Sequence, residues 1–260
     1  MVRQASPAQD DNENMNEALF LHNQYLRQAA WTRALRLFLY RKVHLARKRN
    51  ILELGSGSGV ISDEISRRTA AKIVGIDDDP RMTAFAGKRY PHLDTRTARA
   101  EKLPFRAGAF DLIVTHCFWL WQKDPQKVLA EARRVMAEGG LLVSLCEPDY
   151  PGRRDEPEEL DGIRDLLMEA LSGLGAYPDV PGKLGALMSR AGFKTECGRQ
   201  ENRWGWRECQ KEFEAEWKFI GHLCGPGKNL VSIKRKDRKA VAERTRKLLM
   251  PVCWAVGTKL

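Results

Sequence analysis

Short stretches with the apolar pattern of β-strands, separated by stretches with helical spacing, run through most of the chain. Residues 51–54 have the pattern of a buried strand, and glycines follow at every second position, Gly55, Gly57 and Gly59. A helix-compatible run begins directly after them, and residues 72–77 repeat the strand pattern and end in Asp77. This part of the chain is therefore predicted to form a strand, a tight turn, a helix and a second strand.

Strand and helix patterns continue to alternate along the rest of the sequence. Later strands are predicted at 110–116, 141–145, 193–197 and 251–259, with helical spacing between them. Alternation of this kind is typical of a parallel sheet that is covered by helices on both faces. We therefore predict an α/β fold with a doubly wound, seven-stranded, mostly parallel sheet, in which only the final strand is antiparallel.

Two regions depart from this alternation. Apolar residues spaced by threes and fours from Asn16 onward predict helices ahead of the first strand, and an aromatic helical stretch occupies residues 212–224. We divide the chain into an N-terminal helical extension (1–48), an α/β core (49–200), an inserted helical cap (201–235) and a final helix and strand of the core (236–260).

The composition is that of a globular protein, with 43% hydrophobic and 30% charged residues among 260. No apolar run approaches the roughly 20 residues that span a membrane, and the polar start lacks the apolar core of a secretory signal. We therefore expect a cytoplasmic protein. The six cysteines are scattered without a C-x-x-C pair, so we interpret them as reduced thiols and predict no metal site.

The net charge of +10 is the one unusual property of the composition. Such a charge is typical of proteins that bind nucleic acid, an anionic membrane surface or an anionic substrate. It is equally compatible with a solvated surface rich in arginine, which is the interpretation that we prefer. Charge alone therefore leaves the class of partner open.

The glycine-rich turn has the chemistry of a ligand-binding loop. Glycine has no Cβ, so the backbone can approach a ligand closely, and a carboxylate such as Asp77 at the end of the second strand can accept hydrogen bonds from ribose hydroxyls. The spacing is G-x-G-x-G rather than the G-x-G-x-x-G that seats a pyrophosphate, and Glu53 precedes it. An acidic residue at this point favours a ligand with a cationic end.

Glu53-x-Gly55-x-Gly57-x-Gly59 together with Asp77 resembles the class I methyltransferases that depend on S-adenosylmethionine (SAM), a cofactor with an ammonium and a sulphonium group. The segments 98–105, 110–114 and 129–142 resemble further motifs of the same family. The resemblance is strongest to the type 11 group, which includes ubiquinone and menaquinone methyltransferases, and it covers residues 50–147. It implies a Rossmann-like fold, SAM as cofactor and S-adenosylhomocysteine as product.

The resemblance also implies which residues hold the cofactor. They are Glu53, Gly55, Ser56, Gly57, Gly59, Asp77, Asp78, Met82, Ala100, Glu101 and His116. The family's usual aspartate that accepts from the adenine amino group is replaced by Arg99, and an arginine has only donors. We therefore expect Glu101 or a backbone carbonyl to take over this hydrogen bond.

Candidate catalytic residues lie where the fourth and fifth strands end, because ligands of open α/β sheets bind outside the carboxyl ends of the strands. His116 is the first candidate for a general base, followed by Tyr150 and Glu147. In the resembled family an N-terminal extension lies over the cofactor, so His22, Tyr25 and Trp31 are candidates to face the site. The alternative interpretation is that Trp31 is core and the other two are surface residues.

The sequence thus predicts methyl transfer from SAM to a small-molecule acceptor, aromatic or anionic, by in-line displacement. One alternative is an RNA or protein methyltransferase that uses the basic surface, and another is a binding module that has kept the fold without catalysis. A soft-metal substrate held by separated thiols, as in arsenite methyltransferases, is a further alternative. The pattern indicates neither the acceptor nor the oligomeric state.

Overall fold

The computed structural model describes residues 7–226 and 229–260, with side chains from residue 14 onward. The helices are α1 Pro7–Trp31, α2 Arg33–Lys42, α3 Val60–Ser66, α4 Pro80–Arg89, α5 Pro125–Val135, α6 Gly162–Gly173, α7 Val180–Arg190, α8 Trp206–Cys224 and α9 Val231–Ala242. The strands are β1 Asn50–Leu54, β2 Lys72–Asp77, β3 Asp94–Thr97, β4 Phe110–Thr115, β5 Met136–Pro148, β6 Arg154–Glu156, β7 Phe193–Trp204 and β8 Lys247–Lys259.

All eight of these strands form a single sheet. Its order is β3-β2-β1-β4-β5-β8, and β7 pairs with the other edge of β8. Strands β1 to β5 run parallel, with Leu54 beside both Ile76 and Thr115, whereas β8 is antiparallel to β5 and to β7. The predicted α/β architecture with a mostly parallel sheet is confirmed. Because the parallel strands end at one edge, the loops after β1, β2 and β4 meet there.

The short strand β6 was not predicted, because residues 151–157 have the charged composition of a linker. In the structure β6 pairs with β8 through Asp155 and Leu248, and Asp155 is buried. Its carboxylate accepts hydrogen bonds from Arg153 and Arg246, the latter at 2.6 Å. Arg246 also binds Asp237 of α9 at 2.5 Å. The charged strand is therefore inside the protein because its charges are paired there.

The two N-terminal helices pack against different parts of the protein. Helix α1 rests on α4, where Ala18 packs with Met82 and Phe85. Helix α2 packs on a face of the sheet through residues such as Leu39, which is fully buried. This arrangement carries α1 across the carboxyl edge of the parallel strands. Within the described residues no helix combines the length and the apolar character needed to cross a membrane.

A separate apolar cluster holds α6, α8 and α9 together. Leu167 of α6 packs with Phe213 and Trp217 of α8, and the Trp217 indole donates to the Asp237 carboxylate at 2.7 Å. Strand β7 continues to Trp204, so residues 201–204, which the sequence analysis placed in the cap, belong to the sheet. Helix α8 follows directly and lies beside α6, at the same edge of the sheet as α1.

Candidate active site

The loop after β1 is built around backbone conformations that favour glycine. Gly55 and Gly57 have φ angles of 69° and 49°. A Cβ on Gly55 would lie 2.5 Å from a ring carbon of Phe118, and a Cβ on Gly57 would lie 2.8 Å from a ring carbon of Tyr25. The loop therefore runs directly beneath two aromatic rings, and both positions need glycine for conformation and for space.

Asp77 joins this loop to the start of α4. One carboxylate oxygen accepts from the Gly57 N–H at 2.8 Å, and the other accepts from the Asp79 N–H at 3.0 Å. Burial raises the pKa of this carboxyl above its ordinary value. A carboxylate offers about four lone-pair positions, so Asp77 retains the capacity to accept from a ligand's hydroxyls. This capacity fits the ribose role implied by the sequence.

Glu53 and Ser56 lie deeper beside the same loop. The Glu53 carboxylate is buried and accepts from the Ser62 hydroxyl, and burial raises the pKa of Glu53 to about 8. The Ser56 hydroxyl is also buried, and it has no hydrogen-bond partner among the described residues. Glu53 and Ser56 both line the cavity above the loop. A cationic ligand there would favour the ionised form of Glu53.

The cavity above the loop has a volume of ≈ 620 Å³, enough for a nucleotide-sized ligand. Nine of the residues predicted to hold the cofactor line it: Glu53, Gly55, Ser56, Gly57, Asp77, Asp78, Ala100, Glu101 and His116. The other two do not line it. Gly59 starts α3 against Tyr90, and Met82 is covered by α1. The arrangement therefore suits SAM, with Gly59 and Met82 supporting the site from behind.

The residues expected near an adenine ring form an ion pair. Arg99 donates to Glu101 at 3.1 Å, and both residues line the cavity. The hydrogen bond from Arg99 lowers the pKa of the Glu101 carboxyl. Glu101 is therefore ionised near neutral pH, with an acceptor oxygen that Arg99 orients. This geometry fits the expectation that Glu101 replaces the missing aspartate.

A second, smaller chamber of ≈ 60 Å³ lies beside the first. The two spaces share a wall made of Gln28, Cys117, Pro148, Tyr150 and Phe219. The rest of the second chamber is mainly apolar and aromatic, with a few polar groups. Its other lining residues are Gln24, Trp31, Thr32, Cys146, Arg153, Leu167, Asn202, Trp204, Glu216, Leu248, Met250 and Val252.

The N-terminal candidates separate into three different environments. Tyr25 lines the larger cavity and Trp31 lines the smaller one, where its ring meets that of Trp204 at a centroid distance of 4.9 Å. His22 lines neither cavity, because it is buried against Phe85 and bonds the Ser58 hydroxyl at 2.9 Å. Helix α1 thus covers both cavities, whereas His22 fixes the helix to the loop.

His116 lies at the end of β4 and lines the larger cavity. Its Nε2 is 3.1 Å from the Thr32 hydroxyl, which donates to the Gln28 carbonyl at 2.8 Å. Burial, reinforced by the Arg36 guanidinium, lowers the pKa of His116 to about 3. The imidazole is therefore neutral near pH 7, and its low pKa makes it a weak general base.

Glu147 and Tyr150 have different surroundings. The Glu147 carboxylate is fully buried and accepts from the Phe118 and Trp119 N–H groups at 3.1 and 3.0 Å. Burial raises the pKa of Glu147 to about 8, and Glu147 lines neither cavity. Tyr150 is part of the shared wall, and burial raises the pKa of its hydroxyl. Glu147 thus holds the turn after β4, whereas Tyr150 faces ligand space.

Several lining residues were missed by the sequence analysis. Phe118 covers the glycine loop, Gln28 belongs to the shared wall, and Arg153 with Glu216 forms an ion pair at 3.0 Å in the second chamber. The only sequence signal for Phe118 was its place two residues after the predicted fourth strand. The pair of Arg153 and Glu216 joins residues 63 positions apart, and no local pattern connects them.

Comparison with known proteins agrees with this geometry. The family described as "Methyltransferase domain" matches residues 52–144. A demethylmenaquinone methyltransferase of Chlorobaculum parvum is 29% identical over 43% of this chain and 46% of its own length. One from Tropheryma whipplei is 31% identical over 50% of this chain and 52% of its own. The chain thus spans about half the length of the curated relatives it matches.

Among solved structures, phosphoethanolamine N-methyltransferase 2 of Haemonchus contortus, in complex with SAM, has the same fold. The TM-score is 0.54 at 16% identity, over 81% of this chain and 48% of that one. The matched family covers the glycine loop, Asp77 and the strand that carries His116. On this evidence residues 52–144 match the methyltransferase domain family, and the chain has the fold of a SAM-dependent methyltransferase.

Proposed function

We propose that this protein transfers a methyl group from SAM to a small-molecule acceptor that binds at the shared wall and reaches into the second chamber. The observation that carries the proposal is the wall shared by the two cavities, in which Gln28, Cys117 and Tyr150 face both. A cofactor on the glycine loop and an acceptor among the aromatic residues would meet at this wall. Transfer needs the two reacting atoms close and in line, and such orientation contributes roughly 7–11 kcal/mol.

The residues of the larger cavity would hold the cofactor in a defined orientation. Asp77 would accept from the ribose hydroxyls, Glu101 from the adenine amino group, and Glu53 would attract the cationic end. Gly55 and Gly57 have no side chains, so the remainder of the cofactor can lie close to the backbone of the loop. The sulphonium of bound SAM supplies an activated methyl group, so the protein's task is to position the acceptor and to exclude water.

The protein offers no strong general base at the shared wall among the described residues. His116 has its pKa lowered to about 3, Tyr150 has its pKa raised, and Glu147 is occupied by backbone N–H groups. We therefore propose that the acceptor supplies its own nucleophile. An acidic hydroxyl, a thiol or an electron-rich carbon meets this requirement, because each attacks without a strong protein base.

The lining of the second chamber indicates the kind of acceptor. Trp31, Trp204 and Phe219 supply flat apolar walls, and the ion pair between Arg153 and Glu216 supplies a polar end. Aromatic walls with a few fixed polar groups favour a ligand that is mainly apolar and flat. We propose an aromatic acceptor with one polar edge. The demethylmenaquinone methyltransferases among the relatives are named for an acceptor of this class.

Calorimetric titration with SAM and with S-adenosylhomocysteine tests the cofactor half of the proposal. Asp77→Ala removes charged hydrogen bonds worth about 1.5–3 kcal/mol, so affinity should fall about ten- to a hundredfold. Asp94→Ala is the matched control, because Asp94 begins the neighbouring strand β3 on the surface and pairs with Arg96, away from the cavity. Equal affinity of Asp77→Ala and the parent protein would refute the ribose role.

Methyl transfer itself requires an acceptor screen. Purified protein, SAM with a labelled methyl group and a panel of phenols, quinols and aromatic thiols should give labelled product with at least one acceptor. Polyanions belong in the same panel, since the positive charge is also typical of proteins that bind them. Binding of SAM without transfer to any of these compounds would contradict the proposed activity and leave a binding module.

A further inference from the structure

Three side chains with metal-binding atoms meet beside the shared wall. They are His116 and Cys117 at the end of β4 and Cys146 near the end of β5, and their ligand atoms all lie within 4.8 Å of one another. Residue 116 directly follows β4 and residue 146 lies in the neighbouring parallel strand β5, so the sheet brings them together. The sequence analysis predicted no metal site, because these cysteines are 29 positions apart and form no recognised motif.

The backbone holds the two cysteines in fixed positions. Cys117 has a φ of 54°, a conformation that residues other than glycine adopt uncommonly. Its N–H donates to the Cys146 carbonyl at 2.8 Å, which joins the two residues directly. The next two N–H groups, of Phe118 and Trp119, are bound by the Glu147 carboxylate. The turn is therefore clamped so that both thiols point to the same place as His116.

The hydrogen bonds around Thr32 fix which nitrogen of His116 carries its hydrogen. The Thr32 hydroxyl donates its only hydrogen to the Gln28 carbonyl and accepts from the Arg36 guanidinium at 2.5 Å. The contact at 3.1 Å must then be a donation from His116 Nε2–H to Thr32. Nδ1 keeps its lone pair. Metal-binding histidines commonly have this arrangement, in which the other ring nitrogen donates to a second group.

We propose that His116, Cys117 and Cys146 form a binding site for Zn²⁺. One imidazole nitrogen and two sulphurs are a donor set that Zn²⁺ prefers, and three protein ligands leave a fourth position open. With Zn–S of about 2.3 Å and Zn–N of about 2.0 Å, tetrahedral ligand atoms lie about 3.5–3.8 Å apart. Separations of up to 4.8 Å reach this geometry by small side-chain rotations.

The open coordination position of the ion would give the metal site a role in catalysis, and this role rests on the proposed methyl transfer. His116 lines the cofactor cavity, Cys146 lines the second chamber and Cys117 lines both. An ion held there would bind a thiol or hydroxyl of the acceptor and favour release of its proton to solvent. The acceptor's sulphur or oxygen would then form the bond to the methyl carbon as the bond to the sulphonium sulphur breaks. The site would thus replace the general base that the wall lacks.

Metal titration of the full chain tests the site. Protein treated with a chelator and then titrated with Zn²⁺ should bind one ion per chain, and Co²⁺ in its place should give thiolate-to-cobalt absorption bands. Cys117→Ser, Cys146→Ser and His116→Gln should each weaken binding by at least about tenfold. Cys197→Ser is the control, because Cys197 is exposed on β7, far along the sequence from the cluster, and should bind like the parent.

Binding of S-adenosylhomocysteine, measured on the same samples, separates the two proposals. A parent protein that binds this product but gives no cobalt–thiolate bands has no such metal site, and the proposed methyl transfer stands unchanged. The protein can also be freshly reduced and then exposed to air. A disulfide between Cys117 and Cys146 in this sample, with no ion bound, would also overturn the proposed metal site. Cys146 does not line the cofactor cavity, so a Cys146→Ser variant that loses cobalt binding yet retains product binding is folded and supports the metal site.

Discussion

The cofactor half and the acceptor half of the site are built in different ways. In the cofactor half, all of the predicted cofactor-binding residues that line the cavity, except His116, lie within residues 53–101, where each strand is followed by a short loop that reaches the cavity. The acceptor half takes residues from α1, β5, β7, α8 and β8, which lie between Gln24 and Val252. One half is thus determined by local sequence, and the other depends on how distant elements pack. The consequences of a substitution should differ accordingly.

The largest effect is expected from the buried ion pairs that support the acceptor half. Arg246→Met leaves Asp155 and Asp237 buried without this partner, and breaking such a pair costs about 3–5 kcal/mol. Urea unfolding should show this loss. Lys247→Met is the control, since the neighbouring pair of Lys247 and Glu156 is exposed and worth about 0–1 kcal/mol. Equal stability of the two variants would show that the buried network is dispensable.

The cofactor half should respond most strongly to a change in its backbone loop. Gly55→Ala combines a left-handed φ with a contact of 2.5 Å to Phe118. Affinity for S-adenosylhomocysteine should fall at least about tenfold, or about 1.4 kcal/mol. Gly108→Ala shares the left-handed φ, but its Cβ would meet nothing within 4 Å. If both variants bound equally well in calorimetry, the close approach of the ring would not matter.

A substitution in the acceptor half should leave cofactor binding unchanged. Trp204→Ala removes one aromatic wall of the second chamber, so we expect KM for the acceptor to rise about tenfold, or about 1.4 kcal/mol, with product binding unchanged. Trp206→Ala is a matched control, because Trp206 is also partly buried but lines neither cavity. Steady-state kinetics measures KM for the acceptor in both variants. A change confined to SAM affinity would contradict the distinction between the two halves.

The smallest effect, when it is counted per pH unit, is a pH dependence of stability that involves Glu53. Burial raises its pKa from 4.5 to about 8 in the folded protein, so the folded state binds a proton that the unfolded state releases between these values. The free energy of unfolding should therefore decrease as pH rises from about 4.5 to 8, by at most about 1.4 kcal/mol per pH unit for this group.

Glu53→Gln keeps an acceptor for Ser62 and cannot titrate, so its stability should depend less on pH over this range. Urea unfolding of the parent and the variant at several pH values measures the difference. Glu147, whose pKa is raised in the same way, remains in both proteins and cancels from the comparison. Identical pH slopes would mean that Glu53 is ionised in the folded protein already at low pH.

The contrast between the halves also explains what the sequence could predict. The glycine loop and Asp77 follow from residues close in sequence, because strand, turn and helix signals are local. Glu101 follows from the resemblance of residues 98–105 to a family motif. The strand that contains Asp155 was missed, because a charged segment is normally exposed and only distant Arg246 makes its burial favourable. Glu147 was expected in the site, yet its carboxylate binds backbone groups that no pattern links to it.

Helical periodicity had a similar limit. It predicted helices from Asn16 onward, a region that contains His22, Tyr25 and Trp31, but it did not indicate which cavity each residue would face. The structure gives them three separate environments, because α1 passes from the glycine loop to the second chamber along its length. A period of 3.6 residues identifies the buried face of a helix. Which residues that face contacts depends on the path of the helix across the sheet.

Strand β8 has a consequence for the order of folding. It pairs with β5 and β6 on one side and with β7 on the other, and it supplies Leu248, Met250 and Val252 to the second chamber. During synthesis the ribosome releases this strand about one hundred residues after β5. The nascent chain can therefore assemble its nucleotide-binding strands early, whereas the acceptor chamber must wait for long-range pairing, which is intrinsically slow.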